Sequence, residues 1–174
     1  MSRCVAFLRG INLGKRQIKM AELKDGLEAA GFKGVKTLLA SGNVILDAPD
    51  ETGLKASLEA AMTGQFGFRI EVVLRSDAEL KAMIASAPFA ALPAGADVKL
   101  YVMMLDQPME PAPALRSLPG DYEVVRIDIR DIYVVAYPKG DGRYGEGLDK
   151  LGKQLDKGLL VTTRNWNTII KAAA

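Results

Sequence analysis

The sequence predicts an α+β fold of two ferredoxin-like β-α-β-β-α-β subdomains in tandem, each followed by an extra helix. Three observations carry this expectation. Apolar runs and stretches of helical period alternate in the same order twice, and "APFAALPAGAD", rich in Pro, Gly and Ala, breaks the chain between the two series. The runs "CVAFL", "LYVMML" and "IYVVAY" also lack a polar face, as strands covered on both sides require. A chain of 174 residues can bury a proper core in one domain or in two small halves. The expected parts are a subdomain over 1–76, a helix and linker over 77–97, and a second subdomain over 98–174. Each should form a four-stranded sheet with its first and third strands central.

The elements of the first half follow in order. "RCVAFL" reads as a strand, after which Met20, Leu23, Leu27 and Ala30 recur at helical spacing until Gly31 and Phe32, a glycine stop with a hydrophobic follower. "VKTLLA" and "NVILD" flank "SG" as a hairpin. Leu54, Leu58, Ala61 and Met62 mark a second helix, and "RIEVVLR" a fourth strand. Ser76-Asp-Ala-Glu79 is a capping box that opens a trailing helix with Leu80, Met83, Ile84 and Ala87 as its buried stripe.

The second half repeats the order. "VKLYVMML" is a strand, "APALRSL" a short helix, and "YEVVRIDI" with "IYVVAY" a hairpin. After a Gly-rich loop, Leu148, Leu151 and Leu155 share a helical face that stops at Gly158; "LLVTT" is a strand. Trp166, Ile169, Ile170 and Ala173 then form the stripe of a last helix. "VLRSDAELKAMI" and "TTRNWNTIIKAA" align, making Arg75-Ser76 the counterpart of Arg164-Asn165.

Four stretches, "LRGINLG", "IKMAELK", "SGNV" and the terminal "RNWNT", resemble in this order, over nearly the full length, the bacterial family catalogued as domain of unknown function 1697. The resemblance implies a cytosolic α+β protein of two α/β subdomains with no established biochemical activity. The family often has a second glycine after the "GIN" segment, where this chain has Lys15, which makes the loop less permissive.

Composition narrows the chemistry. A formal net charge of +2 is too small to imply nucleic-acid binding by overall charge, so any electrostatic argument must be local. The sequence contains no histidine, which removes serine-histidine catalysis and histidine-bearing zinc sites. Cys4, the single cysteine, excludes an intrachain disulfide. No stretch reads as a membrane span, and Arg9 interrupts the first apolar run too early for a signal peptide, so a cytoplasmic location is expected. "GDGRYGEG" lacks the lysine-serine ending of a P-loop and "RGINLG" the spacing of a dinucleotide fingerprint; neither a cofactor nor a metal is expected.

The opening loop, "LRGINLGKRQIKM", joins glycines and cations ahead of a helix start, the arrangement that receives anions. In a β-α-β-β-α-β sheet this loop and the turn between strands two and three emerge together, which collects Arg9, Asn12, Lys15, Arg16, Ser41 and Asn43. In the second half, "PKGDGRYGEG" and "TRNWN" emerge together and collect Lys139, Arg143, Arg164, Asn165 and Asn167. The bland alternative assigns the asparagines to turns and caps, and the arginines to internal ion pairs. The expected function is a binding module for a phosphate- or carboxylate-bearing ligand: an anionic small molecule, a nucleotide or an RNA end. Alternatives are an enzyme on a phosphorylated or acyl substrate and a regulatory or protein-interaction module. No catalytic residue is evident. Trp166, Cys4 and the Met103-Met104 pair read as core, and Asp141 and Glu146 as solvated loop residues.

Overall fold

The computed structural model describes residues 2–11, 14–38, 42–48, 50–110, 113–155 and 157–174. The element order is β1 (Arg3–Arg9), α1 (Met20–Ala29), β2 (Lys33–Leu38), β3 (Asn43–Asp47), α2 (Leu54–Phe66), β4 (Glu71–Ser76), α3 (Asp77–Ala85), β5 (Lys99–Leu105), β6 (Tyr122–Ile127), β7 (Asp131–Ala136), α4 (Leu148–Gly152), β8 (Val161–Asn165) and α5 (Trp166–Ala173). The strands form two four-stranded antiparallel sheets, ordered β2-β3-β1-β4 and β6-β7-β5-β8. The first and third strands of each half are central, as the ferredoxin-like reading requires. The chain divides into two compact units, Met1–Lys81 with Ala172–Ala174, and Ala82–Lys171.

In the first unit, Cys4, Ala6 and Leu8 of β1 share a core with Leu23 and Leu27 of α1 and with Leu58 and Met62 of α2. Alternation sends Val5 and Phe7 to the opposite face, where they are also fully buried, so the unbroken apolar run has its physical reason. Gly31, at φ +98°, closes α1. Phe32 N–H donates to the Leu27 carbonyl at 3.1 Å and Gly31 N–H to that of Glu28 at 3.0 Å, the two bonds of a Schellman stop. The capping box of α3 is reciprocal: Ser76 N–H donates to Glu79 Oε2 at 2.7 Å, and Glu79 N–H to Ser76 Oγ at 3.1 Å. Arg3 clasps this unit, donating from Nη2 to Asp77 Oδ1 at 3.0 Å and to the Ala174 carbonyl at 3.0 Å. Lys81, and after it Arg3, holds the Asp77 carboxyl below its ordinary range against the opposing effect of burial.

Cys4 is buried and donates its S–H to Glu51 Oε1 at 3.2 Å. Burial first, and the Glu51 carboxylate second, push the thiol up to about 12. Labelling of Cys4 by a thiol reagent at mildly alkaline pH is expected to run about a thousand-fold slower in native buffer than in denaturant, since the thiolate is the reactive form. Equal rates would contradict this.

In the second unit, Met103 and Leu105 of β5, Ile132 and Val134 of β7, and Leu151 and Leu155 pack together on one face of the sheet. The opposite face carries Tyr133, whose ring stands edge-on to Phe89 at 5.9 Å and to Trp166 at 6.0 Å; Phe89 and Trp166 lie 5.3 Å apart. Trp166 is thus a packing residue. Where the sequence suggests a helix over "APALRSL", none forms among residues 113–118. Their hydrogen bonds go elsewhere: Arg116 N–H donates to Gln154 Oε1 at 2.8 Å, Ser117 Oγ accepts from Val124 N–H at 3.0 Å, and Leu118 bridges Tyr122. With Pro113 and Pro119 framing so short a stretch, helix nucleation has too few bonds to offset it. The helix expected through Leu155 also ends early, at Gly152, while Leu155 remains in the core.

The two units repeat in detail. Arg75 stands opposite Val5 and Arg164 opposite Val102, each one residue before the end of its strand and each buried. Nη1 of Arg75 donates to the carbonyl of Leu74 at 2.8 Å, and Nη1 of Arg164 to that of Thr163 at 3.0 Å. Each hairpin has its irregularity in the same place, between Lys33 and Lys36 and between Val124 and Arg126.

Candidate functional site

The antiparallel pairing of β1 with β4 puts Arg9 opposite Glu71, so the end of β1 lies beside the loop that enters β4. The turn after β2 reaches the same edge. Leu8 N–H donates to the Gly42 carbonyl at 2.8 Å, and a Cβ on Gly42 would overlap the end of Ile11. Gly10, at φ +83°, packs within 3.5 Å of the Arg69 carbonyl, measured from where its Cβ would stand. The dihedral favours glycine there, while the approach itself is an ordinary contact that a Cβ could make.

This edge is rich in cations. Arg9, Lys15, Arg16 and Lys19 are exposed, and among the described residues no carboxylate pairs with any of them. The Arg16 guanidinium lies over the Phe68 ring, 4.7 Å from its centroid, and Phe68 packs against the core beneath. Arg69 contacts Glu71 at 3.2 Å while its side chain stays 80% exposed, which leaves the pair weak and screened. The α1 helix starts at this edge with no side-chain cap from Lys19, so the positive end of its dipole adds to the field. Asn43 is different in kind: it is wholly buried, and its Nδ2 donates to the Leu38 carbonyl at 2.8 Å, holding the hairpin turn. Asn12 and Ser41 lie outside the described residues.

The cations of the second expected cluster are matched internally. Lys139 pairs with the buried Asp121 at 3.3 Å, and Arg143 with Asp141 at 2.5 Å and Glu146 at 2.9 Å. Arg143 lowers the Asp141 carboxyl below its ordinary range by hydrogen bonding to it. Arg164 is buried within its own strand, with Nη1 donating to Thr162 Oγ1 at 2.7 Å; burial lowers its pKa to about 10, so it stays charged at neutral pH. Asn165 Oδ1 accepts from Asn167 N–H at 2.9 Å, the cap of α5, and Asn167 itself is exposed. The loop and this cap share the sheet end where β5 begins, with β5 between their strands. Arg164 therefore corresponds in the repeat to Arg75, at the far end of its sheet from Arg9.

A family model described as "Protein of unknown function (DUF1697)" matches residues 1–133. The chain belongs to the DUF1697 family. In fold this DUF1697 protein is similar to conserved bacterial protein SP0830 from Streptococcus pneumoniae, with a TM-score of 0.70 at 21% identity over 99% of this chain and 97% of that one. Among curated proteins none matches significantly.

Elsewhere on the DUF1697 protein, an open groove of about 510 Å³ is lined by Ser117, Pro119, Gly120, Tyr122, Glu123 and Tyr137. Its polar groups satisfy one another, since Tyr137 donates to Glu123 Oε2 at 2.7 Å and Tyr122 to the Arg116 carbonyl at 3.1 Å. Among the described residues no acidic or thiol cluster is arranged to hold a metal ion, and no helix is long and apolar enough to cross a membrane. Sequence reasoning missed Phe68 and Arg69. The signal was available: with β4 antiparallel beside β1, the short turn "GFR" ahead of β4 has to lie by the end of β1.

Proposed function

We propose that the protein is an anion-recognition module whose site is the edge formed by the loops after β1 and before β4. One observation carries the reading: Arg9, at the end of β1, and Lys15, ahead of the uncapped start of α1, are exposed at the same end of the sheet with no carboxylate paired to either among the described residues. Unmatched cations beside free helical N–H groups favour a phosphate or carboxylate. Arg9 supplies a fork suited to two oxygens, and Lys15 a mobile point charge.

Arg9→Met tests this reading, since it deletes the charge and keeps much of the stem. Because Arg9 is exposed, urea unfolding of the variant should change by no more than about 0.5 kcal/mol. Thermal shifts across nucleotides and sugar phosphates should show binding by the parent, weakened in the variant by roughly 1.5 to 3 kcal/mol, the scale of a hydrogen bond to a charged group. A parent that no member of the panel stabilises would refute the proposal.

A further inference from the structure

The Arg16 and Phe68 pair says more about the ligand than charge alone. Phe68 rests on the core of the first unit, and the Arg16 guanidinium covers its ring at 4.7 Å while Arg16 itself stays exposed. Core, ring and guanidinium thus follow one another, with the exposed Arg16 outermost. A guanidinium held in this way has little conformational freedom left to lose, and its plane accepts a nucleobase as an aromatic ring does. Arg9 at the end of β1, Lys15 in the loop that follows and Arg69 in the turn before β4 are each exposed along this edge. Exposed cations distributed along an edge match phosphates repeated along a strand better than one compact anion.

We propose that a base of single-stranded nucleic acid stacks on the outer face of Arg16 while Arg9, Lys15 and Arg69 hold neighbouring phosphates. The proposal rests on the anion-recognition reading of the same edge and names its ligand class. A duplex keeps its bases stacked within itself and offers none to this plane, so single strands should be preferred.

The test uses the full chain, a short fluorescent oligothymidylate, an abasic strand of equal length and inorganic polyphosphate, at low ionic strength. The base-bearing strand should bind about tenfold more tightly than the abasic one, within the range known for stacking of one base. Arg16→Lys keeps the charge and removes the plane, so it should abolish that ratio with less than about a twofold effect on the abasic strand. The logarithm of the association constant should fall with the logarithm of salt at a slope of roughly −2, as expected for three phosphates of a single strand. Equal binding of all three probes would overturn the stacking proposal and leave the anion reading intact, whereas failure of all three to bind would overturn both. A base preference that survives Arg16→Lys would remove Arg16 from the role. The oligothymidylate annealed to its complement is a fourth probe, and its binding as tightly as the single strand would also refute the proposal.

Discussion

Leu58→Ala should lower stability by about 3 to 5 kcal/mol in urea unfolding, the cost of emptying a leucine site that cannot collapse. Leu58 is fully buried on α2, in the same core as Cys4, Ala6 and Leu8 of β1 and Leu23 and Leu27 of α1. Removing its side chain takes apolar surface out of the place where both helices meet the central strand, and a β-sheet spine cannot move inward to fill the gap. Ile129 serves as the control, because it is 65% exposed and its replacement by alanine should cost less than about 0.5 kcal/mol. A loss below about 1 kcal/mol at Leu58 would mean that α2 does not pack as described.

Asp121→Ala carries the next largest expected effect, a loss of about 2 to 4 kcal/mol. Asp121 is buried, accepts from Gly147 N–H at 2.9 Å through Oδ1, and faces Lys139 Nζ at 3.3 Å through Oδ2. Alanine would leave a buried amide without its acceptor and a cation without its counterion. Lys139 is 30% exposed, so water would replace part of the ion pair and the figure stays below that for a fully buried bridge. Asp121→Asn separates the contributions, since its amide oxygen still accepts from Gly147 while the charge is gone. It should recover about half the loss, and hydrogen exchange at Gly147 should stay slow in the asparagine variant and become fast in the alanine one. Equal losses for the two variants would show that the ion pair, and not the amide bond, holds the loop.

Wherever one physical signal dominated, the fold could be read from the sequence. β1 announces itself because both of its faces are buried, leaving no polar residue between Cys4 and Leu8. Gly31 and the Ser76–Glu79 box end and start helices by local bonds that need no tertiary context. The stop of α3 gave no such sign, because Ala87 takes a left-handed φ of +47° where glycine is the usual residue. Residues 113–118 misled for the opposite reason: their composition tolerates a helix, but Gln154, Val124 and Tyr122, distant in sequence, claim their hydrogen bonds. For the candidate site, topology predicted that the loop after β1 meets the hairpin turn. It could not say which cations face carboxylates. Lys139 and Arg143 look as available as Arg9 in one dimension, and only the pairing with Asp121, Asp141 and Glu146 distinguishes them.

The Arg3 clasp bears on the order in which the molecule can be assembled. Its partners are Asp77, at the start of α3, and the carbonyls of Ala172 and Ala174, which belong to the first unit although every residue from Ala82 to Lys171 precedes them in the chain. A growing polypeptide leaves the ribosome from its N-terminal end, so β1 to β4 emerge and can pair long before those carbonyls exist. Until then Arg3 holds only Asp77, and the first unit waits as a nearly finished body for the second to be translated. Its closure has to follow translation of α5, which couples the maturation of the earliest strands to that helix.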